Sequence, residues 1–117
     1  MDLDKIDRLI AEKVMELHRE ESGDFPNIWF NDKNNPMFFV QKFYPTRDIS
    51  QAWMVVEKLI KEKSAFNLFW HEEEEKQYWE CHFCLDGENL AMAWNKSAPL
   101  AICRAALKAK GIDYGYT

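Results

Sequence analysis

Apolar residues recur on a helical period in three stretches of the chain, and between the second and third they alternate on a strand period. Leu3, Ile6, Leu9, Ile10, Val14 and Leu17 share one side of a helix over Leu3 to His18, with Lys5, Arg8, Glu12, Lys13 and Glu16 mainly opposite. Asp2 or Asp4 is placed to cap it, and Gly23 lies beyond its end. From Phe25 to Pro45 the pattern breaks into aromatic clusters punctuated by Pro26, Asn31-Asp32 and Asn34-Asn35-Pro36. That predicts two short strands, Ile28 to Asn31 and Phe38 to Phe43, around a turn. Asp48 and Gln51 have capping-box spacing. They start a helix whose stripe is Ile49, Ala52, Trp53, Val56, Leu59 and Ile60 and which ends near Lys63.

Phe66, Leu68 and Trp70 then alternate with Asn67, Phe69 and His71, a strand with one strongly apolar face and one mixed face. The acidic run Glu72 to Glu75 turns the chain into a second strand from about Gln77 to Leu85. Asp86-Gly87 reads as a two-residue hairpin turn. That turn would pair Leu85 with Glu88, and so Phe83 with Leu90, Cys81 with Met92 and Trp79 with Trp94 on one side. The other side would be smaller and more polar, with Cys84 facing Asn89, His82 facing Ala91 and Glu80 facing Ala93. Ser97 and Pro99 open a last helix through Leu107. The order α-β-β-α-β-β-β-α predicts a single α+β domain over 1–117, with a mostly antiparallel sheet packed with three helices.

At 117 residues with 47% hydrophobic and 15% aromatic composition, the chain can bury a core without disulfides or a structural metal. A net charge of -5 argues against direct nucleic-acid binding, which needs a basic face. The start, Met1-Asp2-Leu3-Asp4-Lys5, carries no basic-then-apolar leader, and no apolar run has the length to span a bilayer, so a cytoplasmic protein is expected. Cys81, Cys84 and Cys103 then read as reduced thiols behaving as small hydrophobes.

Three phrases carry a family resemblance: Asp4-Lys5-Ile6-Asp7-Arg8-Leu9-Ile10-Ala11-Glu12-Lys13-Val14, the helix from Asp48-Ile49-Ser50-Gln51-Ala52-Trp53 to Ile60, and Ala98-Pro99-Leu100-Ala101-Ile102-Cys103-Arg104-Ala105-Ala106-Leu107. Through them the chain resembles the phage ABA-sandwich family, small proteins of phages and prophages of Gram-positive bacteria. The resemblance implies helices packed with a central antiparallel sheet, and a phage or prophage origin. It supplies no reaction, because its phrases lie on helices with packing roles.

Candidate chemistry lies between those phrases. Cys81-His82-Phe83-Cys84 has C-x-x-C spacing, but on a strand the two thiols point to opposite faces, so no metal is expected there. His71 and His82, with Glu80 or one of Glu72 to Glu75, have the groups for acid-base work. No phosphate loop, dinucleotide fingerprint, nucleophile elbow or H-E-x-x-H accompanies them, so no cofactor and no catalysis are expected. The acidic run reads as a solvated hairpin tip, with imitation of nucleic-acid phosphates as a minor alternative.

The aromatic segment and the histidines supply the candidate contact residues: Trp29, Phe30, Phe39, Tyr44, His71 and His82, with the tail Tyr114-Gly115-Tyr116 able to join them. The expected function is binding, to a host protein, with interference in bacterial defence as the specific form. The alternative is capture of a small ligand such as a nucleotide signal in a cleft lined by Trp29, Phe39 or Trp70. The chain is also compatible with a homo-oligomer that covers whatever its own helices leave bare.

Overall fold

A computed structural model describes residues 2–20, 23–85 and 89–112. The first helix, α1 (Leu3–Leu9), is capped by Asp2, whose carboxylate accepts from the Lys5 amide at 3.1 Å. It continues into a π-helical turn over Ile10–Val14 and stops at Met15, short of the predicted His18. Glu16 reverses the chain with φ 58°, and the Leu17 amide bonds back to Ala11 O. His18 instead bridges to Phe30 of β1 (Ile28–Phe30), which pairs with β2 (Pro36–Phe39). The predicted second strand was placed too late, for Val40–Lys42 forms a 3-10 turn.

Helix α2 (Ile49–Lys61) takes its N-cap from Asp48, which accepts from the Gln51 amide. Only half of the capping box forms, because the Gln51 side chain turns away to the Tyr44 amide and Lys42 O. Ala52, Val55, Val56 and Leu59 are buried, but Ile49, Trp53 and Ile60 are about half exposed, so the apolar stripe is wider than this chain covers. The strands β3 (Ser64–Glu72), β4 (Gln77–Leu85) and β5 (Asn89–Asn95) form an antiparallel sheet in the order β3-β4-β5. Helix α3 (Ala98–Ala109) opens at Ser97, which accepts from the Leu100 amide.

The hairpin register differs by one residue from the expectation. Leu85 pairs with Asn89, so Phe83 faces Ala91, Cys81 faces Ala93, His82 faces Met92 and Glu80 faces Trp94. Asp86-Gly87 and its turn lie outside the described residues. The physical reason for the inward face is close packing. Every residue of α3 from Leu100 to Leu107 is buried, and the helix lies directly on β4 and β5, where Ala91 and Ala93 let its backbone approach. Phe83 and Cys81 complete that layer, while Leu90, Met92 and Trp94 are turned the other way.

The layers run from the three-stranded sheet to α2 and α3 and then to α1, which touches α3 and whose π-helical continuation packs on both. Trp29 and Phe43 add the small sheet's flank to the same core. Among the described residues, the helices therefore cover one face of the three-stranded sheet and leave its other face bare. Among the described residues no helix is long and apolar enough to cross a membrane.

Candidate functional site

The bare sheet face gathers the polar groups that the strand pairing dictates. Phe69 stands opposite Glu80, Asn67 opposite His82 and His71 opposite Tyr78, so His71 reaches Glu80 diagonally while His82 is its neighbour two residues along β4. The Glu80 carboxylate sits between the two imidazoles. His71 Nε2 lies 3.2 Å from Oε1, in ion-pair range but without hydrogen-bond alignment, and His82 Nε2 pairs with Oε2. Ring contacts fix both imidazoles: His71 stacks on Tyr78 at 4.7 Å between centroids, and Phe69 meets His82 edge-on at 5.3 Å.

Around this polar centre lie large apolar groups in contact with solvent. Phe69 is 43% exposed, Leu90 56% and Trp94 47%, with Met92 half-buried opposite His82. A carboxylate held between two imidazoles orients protons, but Cys84, on the same face and two residues from His82, makes no hydrogen bond with it. The arrangement fits recognition, a polar centre inside an aromatic and aliphatic rim.

The thiols divide as strand alternation requires. Cys81 is buried on the helix side, where burial pushes its thiol up to about 12, and Cys103 on α3 is raised by burial and by the nearby Asp7 charge. Cys84 is half-buried on the bare face, so the C-x-x-C pair is split across the sheet. Alkylation of the folded protein with iodoacetamide is expected to modify Cys84 alone, and all three thiols after denaturation. Mass mapping that finds Cys81 labelled in the fold would contradict this burial.

The other sequence-named residues lie elsewhere. Trp29 is only 3% exposed, a core residue whose ring lines a cleft of about 300 Å³ with Asp4, Asp7, Arg8, Tyr44 and Arg47. Tyr44 carries the Arg47 guanidinium 5.6 Å above its ring. Phe30 stacks with His18, and Phe39 is exposed on the small sheet. Trp29, Phe39 and Trp70 do not line one cleft, since Phe39 lies on β2 and Trp70 pairs with Trp79 on the three-stranded sheet. The tail residues Tyr114 to Tyr116 fall outside the described residues.

Sequence reasoning missed the buried Asp7. Its Oδ1 accepts from the Thr46 amide at 2.9 Å and its Oδ2 from Arg47 Nη2 at 3.2 Å, while Arg47 also reaches the exposed Asp4 at 2.9 Å. The available signal was its position, a carboxylate on the apolar stripe between Leu3 and Ile10.

Neither curated proteins nor solved structures provide a match to this chain. The family model described as the phage ABA sandwich domain matches residues 8–107, from α1 through α3. The chain belongs to the phage ABA sandwich domain family.

Proposed function

We propose that this protein is a non-catalytic phage or prophage accessory protein that acts in the host cytoplasm by binding a host protein through the bare face of its three-stranded sheet. The single observation behind this reading is the exposure of Phe69, Leu90 and Trp94 around His71, Glu80 and His82. Such exposure is unfavourable for a solitary sheet and is relieved when a partner covers it. Its anatomy, aromatic groups about a hydrogen-bonding centre, suits a protein surface. The phage-associated family makes a host component the natural partner class, and countering a bacterial defence is the role assigned to it here.

The test compares host complexes recovered on the parent protein with those on a Leu90→Ser, Trp94→Arg double variant whose far-UV circular dichroism is unchanged. A specific host protein cross-linked to β4 or β5 of the parent, and recovered at least about tenfold less well by the variant, supports the assignment. Equal recovery by both proteins, or none by either, overturns it.

A second reading rests on the cleft of about 300 Å³, where Arg8 and Arg47, the latter over the Tyr44 ring, offer guanidinium groups to a planar anion such as a nucleotide. Native mass spectrometry of protein drawn from defence-activated cells reports it directly: a retained small molecule supports capture, and an empty protein defeats it.

A further inference from the structure

We infer that two copies of this chain pair through β3, joining their sheets into one six-stranded antiparallel sheet about a twofold axis. Among the described residues strand β3 is an edge of the sheet, nine residues long, and its one Asp, Glu, Lys or Arg side chain is Glu72 at its end. Natural edges are blunted by lysine, proline, bulges or shortness, and β3 has none of these within its span. The opposite edge is shorter, and Lys108 Nζ already takes the Met92 carbonyl at 3.0 Å.

The apolar groups beside β3 extend the same flank. Ile49, Trp53 and Ile60 of α2 fall within about 40° of arc at 100° per residue, next to rather than within the buried stripe. Trp53 sits edge-on against Phe66 of β3 at 5.6 Å, which places this exposed arc over the strand's edge. A nine-residue strand is about 30 Å long, and sheet plus helix are about 20 Å deep, so the flank offers on the order of 600 Å² from each copy. Doubled, that reaches the lower end of stable interfaces, about 1,200 Å².

Charge selects a second copy, in antiparallel orientation, as the occupant. The chain enters β3 through Lys61 and Lys63, both exposed, and leaves it into Glu72 to Glu75, four exposed carboxylates followed by Lys76. Full overlap of the strand with its twofold mate centres on Leu68. It sets Phe66 against the mate's Trp70 and Lys63, just before the strand, against Glu73, just after it, each contact made twice. The same overlap keeps the two acidic ends apart.

Sedimentation equilibrium across protein and salt concentrations, on the full chain, tests this. The parent is expected to be a dimer that loosens as salt rises. Lys63→Glu and Glu73→Lys, each alone, should weaken dimerisation about three- to tenfold. The double exchange should restore it, which mere damage to the fold would not do. A Trp53→Glu, Phe69→Lys variant, folded by circular dichroism, should be monomeric. A parent that stays monomeric at its highest soluble concentration, or a dimer indifferent to salt and to the single reversals, overturns the proposal.

Discussion

Phe83→Ala is expected to destabilise the fold by about 3–5 kcal/mol, whereas Trp94→Ala on the neighbouring strand should change folding by less than about 1 kcal/mol. Phe83 is fully buried, packs its ring 5.3 Å from that of Phe66, and faces α3 in one layer with Cys81, Ala91 and Ala93. Its removal leaves a cavity that the closely seated α3 cannot fill without shifting. Trp94 occupies the opposite side of the sheet, half in solvent. In the register read from Asp86-Gly87, Trp94 would lie on the same side as Phe83, and its truncation would be as damaging. Urea unfolding followed by far-UV circular dichroism separates the two pairings, and equal losses for both variants would refute the observed one.

That register shows where sequence reasoning carried and where it stopped. The caps at Asp48 and Ser97 and the start of β4 near Gln77 rest on local signals, and the apolar stripe of the first helix holds as far as Val14. The hairpin register does not hold, because Leu90-Ala91-Met92-Ala93-Trp94 alternates large with small, and size matching alone draws the large residues inward. The deciding term was the helix. With Ala101, Ala105 and Ala106 buried, α3 approaches the sheet too closely to rest on Met92 and Trp94.

The candidate site follows from the same term. Once Ala91 and Ala93 face the core, Leu90 and Trp94 must face outward beside Glu80 and His82, and an aromatic rim forms around the histidines. His71 and His82 were legible as titratable groups. Their convergence on Glu80 was not, because it depends on the β3–β4 register across the acidic run. Trp29, Phe30, Phe39 and Tyr44 were read from aromatic density, which marks core and surface alike. Only burial separates Trp29, in the core, from Phe39, in solvent.

Asp7→Ala is expected to cost about 1–3 kcal/mol at neutral pH, chiefly because the Thr46 amide would lose the carboxylate that accepts its hydrogen bond inside the protein. The ion pair with Arg47 adds little, since that guanidinium is half exposed and regains water when the pair is broken. Asp7→Asn retains an oxygen for the Thr46 amide and isolates the charge. Burial raises the Asp7 carboxyl above 3.8, against the opposing pull of Thr46 and Arg47. Between 3.8 and that raised value the folded state therefore holds more protons than the unfolded chain. The Asp7 contribution to stability then grows as pH falls through this window and is least favourable above it. Asp48 and Glu62, whose carboxyls are lowered, act in the opposite sense and weaken the fold on acidification. The Asn variant lacks the Asp7 gain, so its stability relative to the parent should fall from pH 7 towards pH 4 in urea unfolding. Parallel stability curves, or a variant that gains on the parent on acidification, would mean that burial does not govern this carboxylate.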